Sequence, residues 1–182
     1  ARACVDPDFS LSVFIRMLYS CLVDADFLDT EQFMKNGDTG REQGESMEVL
    51  LEKLEAYVAK WKKETDLHTV NGRRTAILNA CLDGGNMDKG IFRLTVPTGG
   101  GKTIASMAFA LKHAVKHHMR RVIYVVPYTS IIEQNAQVFR EILGAENVLE
   151  NHCNVDYEDS EELKPMQLAA ENWDKPVVVT TN

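Results

Sequence analysis

One eight-residue stretch of the sequence combines the residue types that bind a polyphosphate. It reads V-P-T-G-G-G-K-T from Val96 to Thr103. Successive glycines let the backbone curl so that its N–H groups face phosphate oxygens, and a following helix points its positive end at the same place. Lys102 would bridge the β- and γ-phosphates, and the Thr103 hydroxyl would complete a Mg²⁺ ligand set. The predicted phosphate loop comprises Pro97, Thr98, Gly99, Gly100, Gly101, Lys102 and Thr103.

The segments on either side of this loop are typical of a strand and a helix. Ile91 to Val96 is mostly apolar and predicts a β-strand, and an unbroken helical pattern runs from Ile104 to His118. Strand, glycine-rich loop and helix form the context in which a G-K-T ending indicates phosphate binding. The general pattern starts with a further glycine where this chain has Val96, and nucleic-acid motors often place a small or apolar residue there. The alternative is a glycine-rich turn with an incidental lysine.

Length and composition limit the possible classes of protein. The 182 residues, 45% of them hydrophobic, can bury one good core. No apolar run approaches the roughly 20 residues needed to cross a bilayer, so we expect no membrane partner. The four cysteines lie far apart without a C-x-x-C pair, which predicts reduced thiols in a cytosolic protein. The net charge of −7 argues against a large electrostatic footprint on nucleic acid. The acidic stretch from Glu141 to Glu162 predicts a solvated surface loop.

The first part of the chain predicts two helices and a linker. Apolar residues recur at three- and four-residue steps from Phe9 to about Met34, with Ser10 as the expected cap. Asp24 and Asp26 near the end of this helix are either solvated polar residues or a source of one metal ligand. Residues 35–46 contain three glycines and no apolar side chain, as a linker does. Helical periodicity then returns from residue 46 to about 63.

Two pairs of basic residues each allow two interpretations. Arg73 and Arg74 lie on a predicted helix from Asn71 to Leu82, where one arginine would contact ATP or both would be solvated. His113 and His117 are four apart and share a helix face, which is compatible with metal binding. The glutamate of an H-E-x-x-H motif is absent, and a basic helix end that complements the helix dipole explains the histidines better.

The second half of the chain predicts two more buried strands. Residues 121–126 form a continuous apolar run typical of a strand buried on both faces of a parallel sheet. Pro127 ends this strand and a helix follows to about Leu143, with Gly144 just beyond it. Loops at the carboxyl ends of parallel strands carry ligands, so the hydroxyls after Pro127 could hold a phosphate of a nucleic acid. Residues 176–182 predict the last strand.

Three of these motifs together resemble the first motifs of a superfamily 2 helicase. They are V-P-T-G-G-G-K-T, V-I-Y-V-V-P-Y-T-S-I-I-E-Q and V-V-V-T-T-N, in that order. The detail is similar to the CRISPR-associated helicase–nuclease of type I systems, which joins an HD-type nuclease domain to RecA-like motor domains. The segment S-C-L-V-D-A-D-F-L-D-T-E resembles the last motif of that nuclease.

This resemblance implies a fold and a set of site residues. The expected fold class is α/β, with a partial RecA-like parallel sheet preceded by the α-helical end of an HD-type nuclease domain. The expected domains are 1–34 (nuclease), 35–66 (linker and surface helix) and 67–182 (first motor domain). Asp26 would ligate a divalent transition metal of the nuclease, with Asp24 as the substitute. The residues expected along a single strand are Tyr128, Thr129, Ser130, Thr180 and Thr181.

The resemblance also implies an activity for the parent protein. That activity is ATP-driven, Mg²⁺-dependent 3′→5′ translocation on single-stranded DNA, coupled to its cleavage and recruited by an RNA-guided CRISPR surveillance complex in the prokaryotic cytoplasm. The nuclease histidines would precede Ala1 and the second acidic helicase motif would follow Asn182. Residues 1–182 alone are therefore expected to bind nucleotide without efficient catalysis. The alternatives are a stand-alone superfamily 2 motor, a non-catalytic nucleotide-binding module and a P-loop kinase, which would leave the Pro127 motif unexplained.

Overall fold

The structure is a computed structural model that describes residues 6–34, 44–151 and 173–181, without the side chains at 27, 30, 31, 34, 129 and 130. The chain divides into two compact units, Ala1–Arg41 and Glu42–Asn182. The helices are α1 (Pro7–Met34), α2 (Met47–Val58), α3 (Val70–Gly84), α4 (Lys102–Lys116) and α5 (Thr129–Leu143). The strands are β1 (Val122–Val125), β2 (Val148–Asn151) and β3 (Val177–Thr180), with a short 3₁₀ helix at Ala145–Asn147.

The described part of the first unit is the single helix α1. The helix predicted from Phe9 to Met34 is confirmed, although it begins at Pro7 and its cap differs from the prediction. Asp6 Oδ1 accepts a hydrogen bond from the Asp8 N–H at 3.0 Å, whereas Ser10 donates its hydroxyl to the Asp6 carbonyl. Among the described helices, none has both the length and the apolar character needed to cross a bilayer. The predicted linker residues 35–43 lie outside the described residues.

The second unit contains a small parallel sheet in the order β1–β3–β2. Val177 of β3 is in register with Val122 on one side and Val148 on the other. The central strand β3 is buried along its whole length, so the predicted last strand is confirmed. This mixed α/β arrangement is consistent with part of a RecA-like domain.

The strand predicted before the phosphate loop is not formed. Residues 91–97 have no regular secondary structure, and Ile91 is fully exposed while Leu94 is 44% exposed. A strand needs a neighbouring backbone for its hydrogen bonds, and the strands that the structure describes pair only among themselves. The apolar run has residue types that favour a β-strand, but these types do not determine whether a neighbouring strand is available for pairing.

Two further predictions about the sheet are wrong. β1 is not buried on both faces, because Ile123 and Val125 are 50% and 54% exposed whereas Val122 faces the core. The stretch expected to be a surface loop from Glu141 contains strand β2 instead, and it also contains the end of α5. A four-residue strand carries too little pattern to stand out among acidic residues. The rest of the predicted loop, residues 152–172, lies outside the described residues.

Helices α2, α4 and α5 supply most of the core that lies against the sheet. Each shows apolar residues at three- and four-residue steps, the pattern from which the sequence predicted them. The predicted helix at 46–63 ends at Val58, and turns follow it to residue 63. The largest fully buried side chains are Phe139, Leu50, Leu54, Leu78, Met107, Leu111, Ile132 and Leu143.

A buried polar cluster fastens the start of α2 to the turn between α5 and β2. Asn147 is fully buried, and its Oδ1 accepts the backbone N–H of Glu45 at 2.7 Å. Its Nδ2 donates to the Glu45 carboxylate at 2.7 Å and to the Leu143 carbonyl at 2.8 Å. Lys53 donates to the same carboxylate. Glu45 was expected within the linker, but these contacts make it part of the folded second unit.

The stability of this unit should fall in acid because of Glu45. Hydrogen bonds from Lys53 and then from Asn147 lower the pKa of the Glu45 carboxyl below its ordinary value of 4.5. A carboxyl with a lowered folded-state pKa contributes stability above its unfolded pKa, and that contribution is lost as the pH falls through the folded value. We expect Glu45→Gln to flatten the pH dependence of urea unfolding below about pH 4.5. Glu52→Gln, an exposed change on α2, is the control, and equal profiles for both variants would contradict the prediction.

Candidate nucleotide-binding site

The predicted phosphate loop forms a tight turn that leads directly into α4. The Gly100 N–H donates to the Pro97 carbonyl at 3.1 Å, which closes a β-turn around Thr98 and Gly99. Gly99 has a φ of 79°, as the third residue of a type II turn requires, and Gly101 has a φ of 80°. Residues other than glycine rarely adopt positive φ angles of this size. The two glycines are therefore required by the conformation of the loop.

Val96, which replaces the usual first glycine, packs against the middle of the loop. A Cβ atom on Gly100 would lie 2.5 Å from Val96 Cγ1 and 3.0 Å from the Pro97 carbonyl oxygen. Val96 is itself buried, in contrast to the exposed residues that precede it. Val96 and Gly100 therefore complement each other, and the departure from the general motif is compatible with a formed loop.

The first turn of α4 has the features that favour anion binding. The initial N–H groups of any α-helix have no partner within the helix and carry its positive dipole end. Lys102 is the first helical residue and is exposed, and its ammonium makes no hydrogen bond or ion pair with the described residues. Apart from Gly99 and its two chain neighbours, no atom of the described residues lies within 4 Å of the position that a Cβ on Gly99 would take. The loop thus leaves both space and positive charge where a phosphate chain would bind.

The Thr103 hydroxyl, predicted to ligate Mg²⁺, lies beside a second helix. It donates to Oδ1 of Asn135 on α5 at 3.3 Å, and Asn135 is only 7% exposed. Thr103 lines the cavity in front of the loop, so its hydroxyl oxygen is available there as a Mg²⁺ ligand. Mg²⁺ ordinarily keeps several waters and binds substrate phosphates together with one or two protein oxygens, so this donor set fits the ion.

A cavity of about 940 Å³ opens in front of the loop, and all its lining residues belong to the second unit. Among the residues that the structure describes, its wall includes Lys102 and Arg74 but no aspartate or glutamate, which suits a polyanionic ligand. The sequence analysis assigned no chemistry to α2 and the turn after it, yet Tyr57 and Trp61 line this cavity. The available signal was two aromatic residues four positions apart in the predicted helix at 46–63, because such residues share one helix face. In the structure Trp61 lies in the turn that follows α2. Asn71 and Ile131 are also among the lining residues.

Arg74 connects α3 to the phosphate loop, whereas its neighbour does not. Arg74 Nε donates to the Gly99 carbonyl at 3.0 Å, and its Cγ lies 3.6 Å from the position of a Cβ on Gly101. Arg73 Nε instead donates to the Leu67 carbonyl at 2.7 Å, away from the loop. Of the two arginines, Arg74 is therefore the one placed to support nucleotide binding.

We expect Arg74→Ala to weaken binding of a fluorescent ATP analogue by about threefold to tenfold, because the loop loses a charged hydrogen bond at Gly99. Arg73→Ala is the matched control, since it removes the same guanidinium one position earlier. Equilibrium fluorescence titration in the presence of Mg²⁺ measures both. Equal effects of the two substitutions would mean that the contact to the loop is unimportant.

The residues predicted along a nucleic acid strand follow the carboxyl ends of two neighbouring strands. Val125 pairs with Thr180, so the segments that begin at Pro127 and Thr181 leave the same edge of the sheet. Tyr128 is 65% exposed and precedes α5, while the side chains of Thr129 and Ser130 lie outside the described residues. Thr180 is buried and donates its hydroxyl to the Thr181 carbonyl.

The other candidate ligands are not residues of the phosphate loop. His113 is buried and its Nδ1 is 3.1 Å from the Gly85 carbonyl, while His117 Nε2 is 2.9 Å from the Met87 carbonyl. These contacts fasten the end of α4 to the turn after α3. Asp26 is exposed on α1, in the other unit. Among the described residues, no three histidine, cysteine or acidic side chains cluster as a metal site. The nuclease metal site expected at Asp26, with Asp24 as the substitute, therefore stays a prediction.

Comparison with known protein families identifies the second unit. The model of the DEAD/DEAH box helicase family matches residues 72–182, which is more than half of the chain and includes the phosphate loop and all three strands. No match to the chain was found among curated proteins. The predicted resemblance to superfamily 2 helicases is confirmed over these residues, and such helicases use ATP with Mg²⁺ to act on nucleic acid. The chain therefore belongs to the DEAD/DEAH box helicase family.

Proposed function

We propose that this chain binds ATP with Mg²⁺ at the phosphate loop as part of a superfamily 2 motor that moves on nucleic acid. The observation that carries the proposal is the loop itself. Gly99 and Gly101 adopt the left-handed conformation, and the loop leads into the N-terminus of α4 with an unpaired Lys102 in the described structure. The family match supports the same function for residues 72–182.

Each loop residue has a distinct part in this proposal. The backbone N–H groups that open α4 would bind phosphate oxygens, and the Lys102 ammonium would offset charge on the β- and γ-phosphates. The Thr103 hydroxyl would hold Mg²⁺, which offsets the remaining charge on the phosphates when bound. Arg74 would keep the turn at Gly99 in place through its hydrogen bond. Trp61 and Tyr57 line the same cavity and offer apolar surface to the rest of the nucleotide.

The nucleic acid strand is proposed to pass the edge where β1 and β3 end. Tyr128 is exposed there and could stack on a base, a contact that tolerates any sequence. The hydroxyls of Thr129, Ser130 and Thr181 are proposed as phosphate contacts, which position a strand without specifying its sequence. Thr180 is proposed to lie along the nucleic acid strand at the end of β3, where its buried hydroxyl donates to the Thr181 carbonyl. The negative net charge of the chain favours such local contacts over a broad basic surface.

Equilibrium binding of a fluorescent ATP analogue with Mg²⁺ tests the nucleotide part of this proposal. We expect saturable binding that unlabelled ATP displaces completely, because both ligands would occupy the same loop. Circular dichroism before the titration establishes that the chain is folded. A folded chain with no saturable binding would contradict the proposal.

A narrower proposal concerns the first unit. We propose that residues 1–34 end an HD-type nuclease domain, that 35–66 join it to the motor at 67–182, and that an RNA-guided CRISPR complex recruits the protein to single-stranded DNA. The support is the resemblance of the segment around Asp24 and Asp26, since the family match begins only at residue 72. Metal titration of the intact protein against Asp26→Ala is the test. Unchanged metal binding and DNA cleavage would leave a stand-alone superfamily 2 motor as the function.

A further inference from the structure

Asn135 is a buried polar residue on a helix face that is otherwise apolar. It lies on α5 with 7% of its surface exposed, next to the fully buried Ala136 and between Ile132 and Phe139, which are also fully buried. Its Oδ1 is 3.3 Å from the hydroxyl oxygen of Thr103. Asn135 Nδ2 makes no hydrogen bond within the part of the chain that the structure describes.

Packing alone does not account for an asparagine at this position. Leucine has nearly the same shape and would bury no polar group, whereas the Asn135 amide loses its hydration and leaves its nitrogen unpaired. Within the described residues, the one hydrogen-bond partner of the amide is Thr103, a residue of the phosphate loop. The polar group of Asn135 therefore interacts with the phosphate loop.

The hydrogen bond fixes the direction of the Thr103 hydroxyl hydrogen. A hydroxyl has one hydrogen and two lone pairs, and it rotates to suit its partners. A cation requires the lone pairs, so the hydrogen must point elsewhere for the oxygen to act as a ligand. Because Asn135 Oδ1 accepts that hydrogen, the lone pairs are left for the side of the loop that lines the cavity.

We propose that Asn135 is a positioning residue that orients the Thr103 hydroxyl for Mg²⁺ bound with the nucleotide. The inference rests on the proposed function of the same loop and deepens it. It assigns to α5 a role in metal binding that the phosphate-loop motif does not contain. Asn135 acts only through Thr103 and touches neither the ion nor the phosphates in this proposal.

The test compares two nearly isosteric variants that differ in their acceptor capacity. Asn135→Leu removes the acceptor, whereas Asn135→Asp keeps an oxygen acceptor and loses the amide donor. A fluorescent ATP analogue is titrated with Mg²⁺ at fixed nucleotide concentration, and then without Mg²⁺ in EDTA. We expect Asn135→Leu to raise the Mg²⁺ concentration at half-maximal binding by about fivefold or more. Asn135→Asp should stay at or below the unsubstituted value.

Binding in EDTA separates a positioning role from a structural one. A merely structural role would weaken nucleotide binding equally with and without Mg²⁺, whereas the proposal requires unchanged binding in EDTA. In a Thr103→Val background, which lacks the hydroxyl, Asn135→Leu should have no further effect on the Mg²⁺ midpoint. Equal Mg²⁺ midpoints for Asn135→Leu and the unsubstituted chain would overturn the inference.

Three other outcomes are also decisive. Should Asn135→Leu fail to fold by circular dichroism, Asn135→Asp decides alone, and a Mg²⁺ midpoint raised about fivefold or more would overturn the inference because it would make the amide nitrogen the important atom. Should the folded, unsubstituted chain bind no nucleotide, the proposed function fails first. Should nucleotide bind with no dependence on Mg²⁺, the inference alone fails.

Discussion

Lys102→Ala is expected to weaken binding of a fluorescent ATP analogue with Mg²⁺ by about 1.5–3 kcal/mol, which is tenfold or more in the dissociation constant. Lys102 is the first residue of α4 and is exposed, and its ammonium has no ion-pair partner among the described residues. Among the described residues, the wall of the cavity that Lys102 lines has no acidic side chain that could pair with the ammonium. Its removal therefore deletes a charged contact to the phosphates without leaving another charge buried.

Lys89→Ala is the matched control for this measurement. Lys89 is exposed in the turn after α3 and is absent from the cavity wall. It changes the net charge by the same amount, so a general electrostatic effect would appear equally in both variants. The prediction is wrong if Lys89→Ala weakens binding as much as Lys102→Ala does.

Phe139→Ala is expected to cost about 3–5 kcal/mol of unfolding free energy, the usual range for removing a buried phenylalanine. Phe139 has no exposed surface, and its ring meets the Tyr124 ring edge to face with centroids 5.0 Å apart. The substitution leaves a cavity between α5 and β1 that rigid neighbours cannot fill. Urea unfolding followed by circular dichroism measures the loss, and a change below about 1 kcal/mol would contradict the observed packing.

Ile91→Ala is the control for that experiment and also tests the fold. Ile91 is fully exposed, so its truncation should change stability by no more than about 0.5 kcal/mol. A strand paired into the sheet would bury this side chain, and the same substitution would then cost about 2–5 kcal/mol. A loss of that size would show that residues 91–96 form a strand after all.

The phosphate loop was predictable because its conformation depends on nearby residues. The positive φ angles of Gly99 and Gly101 and the helix that follows are local properties of the residue types. The helices were also predictable, since apolar residues at helical spacing determine which face is buried. Thus α5 ends before Gly144, as predicted.

The strands were harder to predict because a strand is defined by its neighbours. Residues 91–96 have the composition of a strand but no partner among the described strands, whereas β2 has a partner and almost no pattern. The exposure of Ile123 and Val125 likewise depends on what covers one face of the sheet. Neither the pairing of a strand nor the covering of its faces can be read from the alternation of polar and apolar residues in a single segment, or from its apolar content.

The sequence alone determined the local motif of this protein, a glycine-rich loop ahead of a helix, on which the proposed phosphate binding depends. Only the tertiary structure decided which distant residues serve that loop. Arg74 reaches Gly99, Asn135 reaches Thr103, and Trp61 lines the cavity in front of them. Contacts between residues 25 and 32 positions apart arise from the packing of α3 and α5 beside α4. A local motif specifies its own backbone, but only the packed helices specify its neighbours.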